Sequence, residues 1–264
     1  MHVSAASIIF MGVSALASIG TPIALFVVFY RKYKLPALPL LAGSLAFVLF
    51  VLILERSAHG VVLGAFNLQE KPFIYMVYGA LMAGVFEETA RFISFNALKK
   101  KYNSIGAALS YGIGHGGVEA ILLAGAAMIH NIVLSVMINS GSVEAVAAGL
   151  TGETLLQVNA QITALTTIEP YVFLISGIER ICAIGIHMAL STLVFYAVSC
   201  KGKSWLYPLA ILLHAIVDAP AALMQAGVIK NVFLLEGFVG ASAVSLTLFA
   251  VYIHKNATLT TVKT

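Results

Sequence analysis

Charged residues are scarce in this 264-residue chain: Asp, Glu, Lys and Arg together make up 10%, whereas hydrophobic residues make up 60%. Soluble domains carry about 25% charged residues, so the composition excludes a water-soluble globular domain. The long apolar runs predict an all-α, polytopic membrane helix bundle in contact with the lipid bilayer. Cysteine is also scarce. Cys182 and Cys200 would lie about 27 Å apart along one helix, which excludes a disulfide between them.

The sequence motifs of several soluble enzyme classes are absent as well. The chain has no HExxH run and no serine nucleophile elbow, and its Gly-Gly pair, Gly116-Gly117, lies inside an apolar segment rather than in a phosphate-binding loop. The first residues carry no basic cluster, so we expect no cleaved signal peptide. A catalytic site in this chain would have to be built from residues inside the membrane spans.

Seven apolar runs each hold the roughly 20 residues that a bilayer core requires. Basic residues follow alternate runs, ten on one set of connections against three on the other. The positive-inside rule then predicts an outer N-terminus and a cytoplasmic C-terminus, and it accounts for the basic loops without a nucleic-acid partner. The predicted spans are residues 4–30, 36–55, 72–98, 104–138, 170–200, 204–225 and 229–254. The ten basic residues are Arg31, Lys32, Lys34, Lys99, Lys100, Lys101, Lys201, Lys203, Lys255 and Lys263, and the three are Arg56, Lys71 and Lys230.

We expect one integral membrane domain over residues 1–264, without internal repeats. Its longest connection, 139–169, falls on the predicted outer side, and the Ala- and Leu-rich stretch 143–168 indicates a short helix, with a plain connector as the alternative. Residues 56–71 are a second candidate surface segment on that side.

A dozen ionisable residues fall inside the predicted spans, although each charge at the bilayer centre costs roughly 2.5–3.5 kcal/mol on insertion scales. Such a number indicates a polar interior. Four of them, on four different spans, lie about 16–21 Å from the same predicted membrane edge, which predicts that they form one site. These four are Glu88, His115, His187 and His214. The others are Glu87, Arg91, Glu119, His130, Glu179, Arg180, Asp218 and Glu236.

Several of these residues are four positions apart, which places both members of a pair on one helix face. Imidazole and carboxylate groups from separate helices are ligands that Zn²⁺ takes, and a further glutamate can act as general base on water. Small glycines around His115 would let a neighbouring helix or a substrate backbone approach closely. The pairs are His115 with Glu119, His214 with Asp218 and Glu87 with Arg91, and the glycines are Gly112, Gly114, Gly116 and Gly117.

Three motifs together resemble the YhfC family of intramembrane metalloproteases. They read Glu87-Glu88-Thr-Ala-Arg91, His115-Gly-Gly-Val-Glu119 and His214-Ala-Ile-Val-Asp218. The resemblance extends to the larger group of CAAX prenyl proteases, PrsW and the gamma-secretase scaffold subunit. It covers about residues 72–225, which it implies are a CAAX-protease-like catalytic core.

The resemblance implies a role for each motif residue. Glu87 matches the base that activates water, and Glu88 would orient it. The arginine of the CAAX proteases lies one residue further on, and their last motif ends in Asn rather than Asp, so cleavage of prenylated proteins is not implied. The implied catalytic residues are Glu87, Glu88, His115, Glu119, His214 and Asp218. The implied Zn²⁺ ligands are His115, Glu119, His214 and Asp218, with His115, His214 and Asp218 alternatively stabilising the oxyanion.

The expected function is therefore an intramembrane metallo-type endopeptidase in a bacterial cell membrane. Its substrate would be a membrane protein or peptide, and its site would open toward the cytoplasmic half or lie near the midplane. The alternatives are a non-catalytic scaffold, or a proton-coupled transporter, since buried Glu and His also build proton relays. His187 lies at the depth of the site with an open role, whereas Glu179 and Arg180 are expected to be structural.

Overall fold

The computed structural model describes residues 2–261, and this part of the chain is helical with no strand. It confirms the all-α, polytopic architecture. Lys263, which contributed to the topology prediction, lies outside the described residues. The helices are α1 (Ala5–Tyr33), α2 (Ala37–Ala65, with a π-helical segment Phe47–Glu55), α3 (Pro72–Leu98), α4 (Ile105–Asn139, with a π-helical segment Ala120–Gly125), α5 (Val143–Ala147), α6 (Gly152–Thr167), α7 (Pro170–Ser199), α8 (Leu206–Gln225) and α9 (Val232–Thr261).

Six of these helices, α1, α2, α4, α7, α8 and α9, are long and apolar enough to cross a bilayer. They correspond to six of the seven predicted spans. Helix α3, the remaining predicted span, has 27 residues, or about 40 Å of helix. Its hydropathy is lowered by Glu87, Glu88 and Arg91, so its passage through the membrane stays a prediction, as does the orientation of the termini.

Two connections differ from a simple turn. The predicted helix between residues 143 and 168 is confirmed by α6, which spans Gly152–Thr167. The candidate surface segment at 56–71 is a helical continuation of α2 as far as Ala65, and none of the residues Arg56–Ala65 is buried. Just before this continuation, α2 contains the π-helical segment that ends at Glu55. A π-helical segment holds one additional residue in each turn, which changes the helix face on which the following residues lie.

The described chain forms two compact units, and the smaller comprises residues 2–21 and 120–181. Its apolar core includes Met11, Leu134 and Phe173, all at least nine-tenths buried. The Asn139 amide bonds both backbone groups of Val3, accepting from its N–H at 2.7 Å and donating to its carbonyl at 2.9 Å. These two bonds hold the start of the chain against the end of α4.

The larger unit comprises residues 22–119 and 182–261 and contains all the predicted site residues. Glycines bring its helices into close contact. A Cβ at Gly114 would lie 2.0 Å from the carbonyl oxygen of Leu40, and one at Gly84 would lie 2.6 Å from that of Ile211. The prediction that small residues around His115 permit close helix approach is thereby confirmed. The same packing sets α2 against α4 and α3 against α8, which fixes the distances between their polar side chains.

Candidate active site

Four helices of the larger unit contribute the polar cluster. Helix α3 carries Glu87, Glu88 and Arg91, α4 carries His115 and Glu119, α7 carries His187, and α8 carries His214 and Asp218. The imidazole rings lie close together, with 5.1 Å between the centres of His115 and His187 and 5.8 Å between those of His187 and His214. The structure thus brings together all six residues predicted as catalytic and adds His187 to them.

Glu87 lies at the centre of the cluster. Its Oε2 is 2.8 Å from Nε2 of His115 and 3.7 Å from Nδ1 of His187. Its Oε1 is 3.8 Å from Nε2 of His214, and Arg91 Nη2 donates to Oε2 at 3.4 Å. One carboxylate therefore faces three imidazoles and a guanidinium, while 6% of the residue remains exposed.

Glu88 has a different environment from its neighbour. It is completely buried, and its Oε1 accepts hydrogen bonds from Arg91 Nη1 at 2.5 Å and from His214 Nδ1 at 2.7 Å. Arg91, also completely buried, donates in addition to Ser191 Oγ at 3.2 Å. A buried charge requires a partner of opposite charge and hydrogen bonds, and Glu88 and Arg91 supply these to each other. Glu88 therefore fixes the orientation of His214 rather than facing open space.

The hydrogen bonds of His187 define its tautomer. Arg91 can only donate, so at 2.5 Å from Arg91 Nη2 the Nδ1 atom of His187 must be the acceptor. The proton is then on Nε2, which lies 2.6 Å from a carboxylate oxygen of Glu119. His187 thus links the buried cation on α3 to the acid on α4. Sequence analysis left its role open; its depth on α7 was the signal that pointed to the cluster.

His214 and Asp218 form the part of the cluster nearest to open space. Nδ1 of His214 donates to Glu88, and its Nε2 lies 3.4 Å from Asp218 Oδ2. The Asp218 side chain is 38% exposed and borders a cavity of about 330 Å³. Water can therefore reach this edge of a site whose other members are largely buried.

Four of the side chains are arranged in a way that could hold a metal ion. One donor atom from each of Glu87, His115, Glu119 and His187 can be chosen so that all four lie within 4.8 Å of one another. Two imidazoles and two carboxylates are donor types that Zn²⁺ takes. The Nδ1 atom of His115 is buried without a hydrogen-bond partner among residues 2–261, so the ring is held by the hydrogen bond between its Nε2 and Glu87. The donors fit a metal in type and number.

This group overlaps only partly with the ligands that the sequence predicts. His115 and Glu119 belong to both sets. His214 and Asp218, the other two predicted ligands, lie on the far side of Glu87 and outside the compact group. The hydrogen bond between His214 and Glu88 reflects this placement, since α8 packs along α3 rather than along α4. Their ligand role stays a prediction.

One acidic residue of the region was not identified from the sequence. Glu55, 6% exposed, ends the π-helical segment of α2, and one of its oxygens is 3.3 Å from Nε2 of His59. Nδ1 of His59 is 2.9 Å from the Tyr78 hydroxyl. The four-residue spacing from Glu55 to His59, the same as in the other acid–imidazole pairs, was the available signal.

Comparison with known proteins gives two matches. The family model described as "YhfC intramembrane metalloprotease" matches residues 16–239. A protein of Bacillus subtilis (strain 168), described as "Uncharacterized membrane protein YhfC", is 37% identical over 240 residues, which are 89% of this chain and 91% of that protein. Both matches extend across the four helices that carry the polar cluster.

Proposed function

The chain belongs to the family of YhfC intramembrane metalloproteases, and from this membership we propose that it hydrolyses a peptide bond of a membrane protein or membrane-embedded peptide. The observation that carries the proposal is the Glu87 carboxylate, which faces His115, His187 and His214 in a buried cluster beside a cavity. The same proposal places the protein in the bacterial cell membrane. It also holds that its chemistry is related to that of the CAAX prenyl proteases and PrsW.

In the reaction, Glu87 is the general base. It accepts a proton from water while the water oxygen attacks the carbonyl carbon of the scissile bond, and the proton then passes to the leaving amine. Glu87 suits this role better than Glu88, because both known contacts of Glu88 are with Arg91 and His214 and the residue is completely buried. His115, 2.8 Å from Glu87, orients the base.

We assign different roles to the residues on the two sides of Glu87. His115, Glu119 and His187 would hold a Zn²⁺ ion, a two-histidine, one-glutamate set of the kind found in catalytic zinc sites. When bound, the ion would polarise the scissile carbonyl and make water easier to deprotonate. His214, protonated on Nε2, would donate to the oxyanion, which is the second role that the resemblance leaves open, and Asp218, 3.4 Å from that atom, would stabilise its proton.

The hydrogen bond from Arg91 to His187 sets a condition on this assignment. A metal at Nε2 of His187 needs the lone pair of that atom, whereas Arg91 at Nδ1 keeps the proton on Nε2. A metal at Nε2 would require this proton to move to Nδ1, where it would face the Arg91 donor, so a metal and Arg91 would compete for the same imidazole. His214, whose Nδ1 donates to Glu88, is the alternative third ligand.

The proposal is tested by comparing membranes that contain the wild-type chain or the Glu87→Gln variant. New protein N-termini, identified by mass spectrometry, should occur with the wild type and fall by at least about 10²-fold in the variant, the usual lower effect of a general base. Glu70→Gln, an exposed change just before α3, is the matched control and should leave them unchanged. Identical N-termini with Glu87→Gln and wild type would contradict the proposal.

A further inference from the structure

The polar cluster is covered on the side toward Lys99 by a buried layer. Phe95, one turn beyond Arg91 on α3, is 1% exposed, and its ring lies 4.9 Å from that of Tyr111 and 5.7 Å from that of Phe195. Tyr111 itself is completely buried, one turn before His115 on α4. Leu206 and Ala210 at the start of α8 are also completely buried. Four helices thus contribute close-packed side chains between the cluster and this end of the unit.

The opposite side of the cluster is open. The cavity of about 330 Å³ runs along the first half of α3 and the last half of α8, with His59 and Leu63 of α2 in its wall. Its lining residue Ala83 is one turn before Glu87, and Asp218 is one turn beyond His214. The cavity therefore ends within one helical turn of Glu87 and of His214, which face each other across the proposed reaction centre. The remaining lining residues are Tyr75, Tyr78, Gly79, Ala80, Ala221, Ala222 and Gln225.

We propose that this cavity is the substrate-binding cleft of the site, and that water and substrate reach Glu87 only from the end of the unit where α3 begins and α8 ends. The nature of the substrate rests on the proposed peptidase function, whereas the direction of access rests on packing alone. Under the predicted topology this end faces the outside, whereas the sequence led us to expect a site that opens toward the cytoplasmic half or lies near the midplane.

The lining indicates what the cleft binds. Gly79, Ala80 and Ala83 on one wall face Ala221 and Ala222 on the other, and a volume of about 330 Å³ is at the low end for ligand sites. The cleft thus has room for an extended chain with small side chains. An unwound segment exposes N–H and C=O groups that need partners inside a membrane, and Tyr75, Tyr78, His59 and Gln225 can supply them.

The charge of the residues that line the cleft further restricts which peptide segments it can bind. Asp218 is the charged residue among its described lining, and no Lys or Arg contributes to that lining. A carboxylate without a neighbouring Lys or Arg in the lining repels acidic side chains. The substrate class is therefore an unwound peptide segment with small, neutral or basic residues around the scissile bond.

Thiol labelling tests the direction of access without assuming catalysis. In a background that carries Cys182→Ser and Cys200→Ser, single cysteines are introduced at Ala83 in the cleft and at the completely buried Ala90. Glu70→Cys and Lys100→Cys, at exposed turns before and after α3, mark the two membrane sides. A charged, membrane-impermeant methanethiosulfonate should label Ala83→Cys only from the side that labels Glu70→Cys, and should not label Ala90→Cys.

Labelling of Ala83→Cys from the Lys100 side, or no labelling from either side, would overturn the proposal. The second test fills the cleft with a large side chain. The variant Ala83→Trp should no longer produce the new protein N-termini that the wild type produces, while the metal content of the purified protein stays unchanged. Leu81→Trp, on the exposed face of the same helix, is the matched control and should have no effect. If the wild type yields no specific N-termini, the peptidase proposal fails, and the labelling result still decides the direction of access.

Discussion

The buried Arg91 should be one of the most important residues for stability. The variant Arg91→Leu removes a completely buried guanidinium that bonds Glu88 at 2.5 Å, His187 at 2.5 Å and Ser191 at 3.2 Å. It leaves the Glu88 carboxylate buried without its cation. Removing one partner of such a pair costs about 3–5 kcal/mol, so the free energy of unfolding should fall by that amount. Titration of the purified protein with SDS in mixed micelles, followed by circular dichroism, measures it.

The double variant Arg91→Leu/Glu88→Leu distinguishes the contribution of the ion pair to stability from that of side-chain packing. Replacing both members of a buried pair by apolar residues is often neutral or stabilising, so the double variant should recover most of the stability that the single variant loses. Strong coupling of the two changes in a double-mutant cycle is then expected. If Arg91→Leu unfolds like the wild type, or if the double variant is as unstable as the single one, the ion pair does not hold the cluster together.

Two further predictions concern packing and the two acids. Gly114→Ala would place a Cβ 2.0 Å from the Leu40 carbonyl oxygen and should lower the free energy of unfolding by about 1–3 kcal/mol. Gly60→Ala, with nothing within 4 Å of the added Cβ, should raise it by up to about 1 kcal/mol. Equal responses of the two variants in the SDS titration would refute the close approach of α2 and α4. Glu87→Gln should abolish cleavage while the protein remains folded, whereas Glu88→Gln should lower the free energy of unfolding because Arg91 loses its strongest partner. A reversed pattern would exchange the roles of the two acids.

Much of the architecture follows from hydrophobic length. The predicted spans at 72–98 and 204–225 lie within two residues of α3 and α8, because runs of this kind cannot fold otherwise in lipid. The continuation of α2 to Ala65 could not be predicted in this way. Arg56 looks like a span end, but the helix proceeds beyond the apolar region, through Gly60 and Gly64, to Ala65.

The candidate site was predictable in its residues but less so in its contacts. Depth along each helix indicated that His115, His187 and His214 meet, and the structure places them together. Pairing across helices depends on rotation about each helix axis, which hydropathy does not record. For this reason the sequence grouped His214 with His115 as ligands, whereas the packing of α3 on α8 places His214 against Glu88.

The burial of Glu55 is a second feature that local sequence does not reveal. A glutamate at the end of an apolar run normally reaches water, but the π-helical turn that ends at Glu55 shifts the face on which it lies. Similarly, the closed and open sides of the cluster depend on which aromatic side chains of three different helices meet, and this is a property of tertiary packing.

The central claim is that the cluster around Glu87 is a metal-dependent hydrolytic site. Elemental analysis of the purified protein tests it most directly, with the wild type measured beside His115→Ala, His187→Ala and His214→Ala under conditions in which all remain folded. The account predicts stoichiometric zinc in the wild type and in His214→Ala, and loss of zinc in the other two variants. Zinc that persists in His115→Ala, or a wild type without bound metal, would contradict it.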